Sequence, residues 1–319
     1  MASNSTAAWR GASVARRSHG LAHRLWRDRW IYVLLLPTAV LYGAYTLWPI
    51  VASDAYGFFH WTGFSASMRW AGTSNFVAVV RDPLFWNAMR ITFLFVLVTV
   101  PLRVFCALVL AIVLNNPRLP TARWLRTGFF LPVVTTSAIV GVVMSLIFDP
   151  VSGPVDLLLL KTGLIHKPLE ILGNAHTALW AVMAVWIWKW LGITMIYWLA
   201  SLQTIPGELY EAARIDGAGA GRIFRHLTVP LLIPFLVIIT LLTAIEALQV
   251  FDLMLTMTGG GPYYATQVVE IYVYDWAFNV SVPQLGYASA AATIFGLVTL
   301  ILAIGQGAAV RAIRRRALG

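Results

Sequence analysis

Cysteine is almost missing from this chain of 319 residues, which holds Cys106 alone. One thiol excludes a disulfide framework and any cysteine-rich metal site. Its place inside an apolar run reads as a small buried hydrophobe. Charge is scarce as well. Asp, Glu, Lys and Arg make up 11% of the residues, against 59% that are hydrophobic, with 14 tryptophans among them. A chain this poor in charge cannot hide its apolar surface in a core of its own, so a bilayer must serve as its solvent. Acidic residues are the scarcest charge, 13 against 23 Lys and Arg, for a formal net charge of +10. That excess could speak for nucleic acid. The basic residues, however, crowd beside apolar runs and on alternating connections, which is a topology signal rather than a binding stripe. No nucleic-acid partner is expected.

Catalytic motifs are missing too. A Walker phosphate-binding loop ends in Gly-Lys-Ser/Thr, and none of Lys161, Lys167 and Lys189 follows a glycine. There is no His-Glu-x-x-His metal motif and no Gly-x-Ser-x-Gly nucleophile elbow. His19, His23, His60, His166, His176 and His226 lie outside the apolar runs without ligand spacing. The chain is therefore expected to carry no catalytic residue, no metal and no cofactor.

The hydrophobic runs are what remains. Spanning a bilayer takes about 20 apolar residues in a helix, and six runs qualify, at about 31–51, 89–114, 128–148, 177–201, 230–257 and 288–310. The first is too long for the core of a cleaved signal peptide and lacks a clear cleavage site. Residues 263–287 suit a short interfacial helix, and the aromatic residues scattered over 52–88 suit a membrane–water boundary. An even number of spans puts both termini on one side. Arg10, Arg16, Arg17, Arg24, Arg27 and Arg29 precede the first span, and Arg311, Arg314, Arg315 and Arg316 follow the last. The 115–127 loop adds Arg118, Arg123 and Arg126, and the 202–229 loop adds Arg214, Arg222 and Arg225. The opposite connections hold only Arg69, Arg81, Lys161 and Lys167. Positive loops stay inside, so the termini and the 202–229 loop are expected in the cytoplasm. The layout is a basic arm (1–30), a six-helix all-α membrane domain (31–310) and a basic tail (311–319).

One polar stretch between the spans reads as ordered. Over 205–230, Pro206 suits the first turn of a helix and Glu208 and Glu211 suit its positive pole. Leu209, Ala212 and Ala213 share a face. Gly217, Gly219 and Gly221 should break that helix before a second short one starts at Arg222. The stretch resembles the coupling loop of ATP-binding-cassette import permeases. Their pattern is Glu-Ala-Ala, three residues, Gly, nine residues, an aliphatic residue, one residue and aliphatic-Pro. Here it reads Glu211-Ala212-Ala213, Gly217, Leu227 and Val229-Pro230. Asp216-Gly217-Ala218 is the form common in the carbohydrate branch. The Thr258-Gly259-Gly260-Gly261-Pro262 turn, with Ala265-Thr266 and Gly286-Tyr287-Ala288 after it, is similar to the sugar uptake permeases as well.

The resemblance covers about residues 30–310 and implies a type I importer permease fold. It implies that Glu211, Ala212, Ala213, Asp216 and Gly217 dock into a cytoplasmic ATPase. It also implies a second permease subunit, two ATPase subunits that bind ATP and Mg, an extracytoplasmic sugar-binding protein, and a location in a bacterial or archaeal cytoplasmic membrane.

Ionisable groups inside spans are costly, roughly 2.5–3.5 kcal/mol each on insertion scales, so Arg103, Lys189, Glu246 and Asp252 need a reason. Lys189 and Glu246 sit near mid-span and are read as facing a central pathway, where they would pair or meet substrate hydroxyls. The alternative is a structural ion pair between packed helices. Arg103 and Asp252 read as structural, at a subunit interface or snorkelling outward. Trp186, Trp188 and Trp190 offer aromatic faces, and Thr240, Thr243, Glu246 and Gln249 recur at i, i+3 steps. Together they supply the two halves of a sugar site. By the likeness to maltose-type permeases, Trp188, Leu191, Gly192, Thr243, Glu246 and Ala247 would hold the sugar, although Glu246 and Ala247 stand where an aromatic residue and an amide are expected. The reading is a permease for a sugar, a di- or oligosaccharide. A glycerophosphodiester permease is the alternative. An ion-coupled secondary transporter would need inverted repeats, which are not seen.

Overall fold

The computed structural model describes residues 29–64, 67–116, 119–151 and 153–318, and of residues 309–318 the backbone only. The basic arm before Arg29, Arg118 and the side chains of the four tail arginines fall outside it. The chain divides into two units, Met1–Ala52 and Ser53–Gly319. Of the first, the description covers a single element, the greater part of α1 (Arg29–Tyr56), none of whose apolar window is buried. The second unit holds the remaining helices and one small hairpin, β1 (Phe59–His60) antiparallel to β2 (Arg69–Trp70).

Among the described residues, five helices are long and apolar enough to cross a membrane: α1, α3 (Pro83–Leu114), α7 (Ala178–Gln203), α9 (Ala220–Ala247) and α12 (Leu285–Leu318), whose apolar part is Leu285–Ala308. The expected third span is instead a broken pair, α4 (Ala122–Val134) and α5 (Ser137–Ile147), bent by 98°. Thr135 and Thr136 between them are extended, with ψ of 142° and 147°. Pro132, three residues earlier, removes one helical N–H and weakens the turn leading into the bend.

Span boundaries follow local chemistry. Helix α3 starts earlier than its apolar run because Asp82 caps it, accepting from Leu84 N at 2.8 Å, with Pro83 in the first position. Asp82 also receives the hydroxyls of Tyr272 (2.5 Å) and Tyr287 (3.1 Å). One carboxylate thus ties the start of α3 to α11 (Val269–Tyr274) and α12. Helix α11 falls where an interfacial helix was expected, but Val269, Ile271 and Tyr272 are buried. The expected span over 230–257 is interrupted: α9 ends at Ala247 and α10 (Phe251–Met257) follows after Leu248-Gln249-Val250.

The core lies where α3 packs along α7, with α9 against both. Phe95 meets Trp186 edge-on at 5.5 Å, and the buried Trp198 donates its indole N–H to Val104 O at 3.0 Å. At the hairpin end, Asn75 on α2 (Ser74–Arg81) donates to Gly57 O at 3.0 Å and Phe59 O at 2.9 Å while only 4% exposed. Asn75→Ala strips both carbonyls of their donor. It should cost about 1–3 kcal/mol, read as a lower melting temperature of the purified permease.

Candidate functional site

The polar 205–230 stretch folds into α8 (Gly207–Ile215), one residue later than Pro206 suggested, because Pro206 itself is the cap. The chain then turns at Gly217, whose φ of +76° is open to glycine and strained for other residues. Gly219 caps the next helix, and Gly221 lies inside it rather than breaking it. The expected short second helix is in fact the start of α9, continuous from Ala220 through a π turn at Phe224–Thr228.

Helix α8 has two faces. Tyr210 and Arg214, four residues apart, turn toward the bundle, and Tyr210 Oη lies 3.3 Å from Thr228 Oγ1. Glu208, Glu211 and Ala212 stand on the opposite side, exposed, and Ala213 is half-buried. Ile215 continues the exposed face at 86% exposure. This isoleucine stands beside two exposed carboxylates and is not part of the motif. Asp216 and Gly217 are exposed at its end.

Inside the bundle, the mid-span charges converge. Arg103 on α3 is 0% exposed, and its Nη2 lies 2.8 Å from Glu246 Oε2 on α9. Arg103 therefore neither snorkels nor sits at an outer surface. The approach is an ion pair without hydrogen-bond alignment, and Nε and Nη1 have no acceptor. The guanidinium instead lies 4.8 Å from the Trp186 ring, and Lys189 Nζ stands 3.7 Å from the Trp190 ring. The partner of Glu246 is thus Arg103 rather than Lys189. Two cations face one carboxylate, with tryptophan π faces taking part of the excess.

The other sequence-predicted residues divide by helix face. Trp188 is exposed, on a stripe with Trp180, Ala184 and Ile196, while Lys189, next in sequence, points inward. Consecutive helical residues project about 100° apart, which separates the exposed Trp188 from the buried Lys189. Leu191 is half-buried, and Gly192 is buried where α4 crosses α7. Thr243 and Ala247 are buried beside Glu246, and Thr243 Oγ1 has no partner. Gln249 is exposed. It lines an open crevice of about 940 Å³ between α3, α9 and α12 with Arg90, Glu270 and Gln306. Asp252 is exposed in the first turn of α10, where a carboxylate favours the helix pole.

Glu270, missed in the sequence because nothing marks it there, lies beside the break that follows α9. Its carboxyl faces the start of α10, where the backbone N–H groups of Phe251 and Val250 favour its charged form. Burial pushes this carboxyl up to about 7. The two N–H groups oppose the shift and Asp252 adds to it. The unfolded chain would release the proton near about 4.3. Between those values the folded state holds an extra proton, so its stability falls as pH rises through the window. Glu270→Gln has no such proton. Its melting temperature relative to wild type should be higher at pH 8 than at pH 5, and an equal difference at both would contradict the assignment.

Known proteins share this architecture. The family model described as binding-protein-dependent transport system inner membrane component matches residues 28–315. The lactose transport system permease protein LacF of Rhizobium radiobacter is 33% identical over 284 residues, covering 88% of this chain and 93% of that one. The sulfoquinovosyl glycerol transport system permease protein SmoG of Agrobacterium fabrum (strain C58 / ATCC 33970) is 34% identical over 281 residues, covering 87% and 89%. A chain in the crystal structure of a bacterial ABC transporter involved in the import of the acidic polysaccharide alginate superposes with a TM-score of 0.78 at 22% identity, over 92% of this chain and 99% of that one. A multi-pass all-α chain of this fold, matched along nearly its whole length, belongs to the inner-membrane components of binding-protein-dependent transport systems.

Proposed function

We propose that this chain is one of two permease subunits of an ATP-driven sugar importer, moving a di- or oligosaccharide by alternating access. In this reading the termini and α8 face the cytoplasm. Two ATPase subunits bind ATP and Mg, an extracytoplasmic binding protein delivers the sugar, and this chain holds neither nucleotide nor metal. Glu211, Ala212, Ala213, Asp216 and Gly217 form the docking element, with Glu208 and Ile215 beside them. Trp188, Lys189, Leu191, Gly192, Thr243, Glu246, Ala247 and Gln249 belong to or support the substrate pathway. The observation that carries the reading is the exposed face of α8, where two carboxylates and an 86% exposed isoleucine project from the polar loop between two spans. Such a face offers a partner an apolar anchor flanked by charge.

The test is the ATPase activity of the complex reconstituted with its neighbouring gene products, with and without binding protein and a panel of oligosaccharides. Stimulation by one sugar is expected. Ile215→Asp should abolish co-purification of the ATPase, because a buried charge replaces an apolar anchor. Gly217→Pro should do the same, since proline cannot reach a φ of +76°. Uptake that follows an ion gradient with no ATPase attached would overturn the reading in favour of a secondary transporter.

An anionic solute is a second reading, favoured by Arg103 and Lys189 outnumbering Glu246 in the bundle. The panel therefore includes an acidic oligosaccharide and a glycerophosphodiester.

A further inference from the structure

We infer that the cavity behind the coupling helix binds a phosphate group, carried by an anionic lipid of the leaflet on that side. The cavity, about 900 Å³, lies between the inner face of α8, the Ala220–Phe224–Thr228 stripe of α9, and the adjoining ends of α3 and α7. That volume suits a drug-sized ligand. Among the described lining residues Arg214 carries the one charge, joined by the amides of Asn115 and Asn116 and the hydroxyl of Tyr210. No carboxylate is among its described lining residues, which leaves Arg214 free to favour an anion there. Ile112, Leu202 and Phe224 supply an apolar wall for the glycerol and upper acyl region.

Depth favours a lipid as the source. The apolar run of α3 ends at Leu114 and α7 ends at Gln203, so the cavity opens where two spans leave the hydrocarbon. A basic pocket between membrane helices at that level is suited to an anionic head group. A phosphate seated there would touch both α8 and the bundle, and would hold the coupling helix in one orientation against the spans it has to move.

The experiment uses the full complex in nanodiscs of phosphatidylcholine alone or mixed with phosphatidylglycerol, reading lipid retention by native mass spectrometry and ATPase stimulation by binding protein. Wild type should retain phosphatidylglycerol and respond more strongly in the mixed discs. Arg214→Gln should retain about fivefold less, equivalent to about 1 kcal/mol for one basic contact. Arg214→Lys should largely restore retention, and Asn115→Asp should lose it while keeping Arg214. Glycerol phosphate added to phosphatidylcholine discs forms the soluble arm. Stimulation there that needs Arg214, without retained lipid, would keep the phosphate site and move its source to the cytoplasm. Retention and stimulation indifferent to Arg214 and Asn115 in both arms would overturn the inference. The activity readout rests on the proposed coupling role, whereas lipid retention reports the site even where that role fails.

Discussion

Arg103→Met should destabilise the permease by about 3 kcal/mol, the low end of the roughly 3–5 kcal/mol seen when one partner of a buried ion pair is removed. The low end applies because Glu246 keeps 32% of its side chain exposed and is partly solvated once alone. Glu246→Gln should be worse in one respect: it leaves the 0% exposed Arg103 beside Lys189 with no carboxylate between them. The double variant Arg103→Met with Glu246→Leu removes both charges and should recover most of the stability, since apolar replacements of buried pairs are often neutral or better. Stability and transport then separate two roles. A double variant that melts like wild type and still gives sugar-stimulated ATPase would confine the pair to packing. One that melts like wild type but no longer responds to sugar would place Glu246 in the pathway. A double variant as unstable as the single ones would show that the Trp186 contact of Arg103, rather than its ion pair, holds the helices.

Gly192→Val should fail to yield a folded permease, a larger effect than any surface change on α7. A Cβ on Gly192 would overlap the Phe129 carbonyl oxygen and come within 2.7 Å of its carbon and 2.8 Å of Phe130 Cα. These are backbone atoms of α4, so no rotamer change can relieve the clash. Helices α4 and α7 would have to part along their contact, and overpacking of even modest size costs about 1–3 kcal/mol. Gly221→Ala is the control. An added methyl there meets nothing within 4 Å, and the residue sits inside a helix. It should be neutral or stabilise by about 0.5–1 kcal/mol. Thermal melting of the two variants beside wild type is the measurement. Equal melting temperatures for Gly192→Ala and wild type would mean that α4 and α7 are not in close contact.

Much of the site was visible in the residues alone, though unevenly. The order of apolar runs is a property of composition, and bilayer thickness alone converts it into helices of about 20 residues or more. The 205–230 stretch was legible for a similar reason: its helix, its turn at Gly217 and its exposed carboxylates are all local, set by residues within one stretch. The bend between α4 and α5 was not. Pro132, Thr135 and Thr136 permit it, but a run of apolar residues looks the same whether it crosses straight or folds by 98°.

Pairing across the bundle was beyond sequence. Arg103, Lys189 and Glu246 each announced themselves as costly charges in a membrane, but which of them met depended on how α3, α7 and α9 rotate against each other. Trp188 and Lys189 show the same limit, because a helix sends adjacent residues to different surfaces and hydropathy cannot say which surface a neighbour covers. Gly192 looked like part of a substrate motif, whereas its contact with α4 gives it a packing reason. Glu270 carried no sequence signal, since the helix start that its carboxyl faces lies nineteen residues earlier in the chain. Sequence by itself therefore determined the membrane class, the number of apolar runs and the polar helix α8, because those depend on local composition and on the solvent. Only tertiary structure decided the broken span, the Arg103–Glu246 pair and the cavity behind α8, because those depend on distances between residues that the chain order leaves far apart.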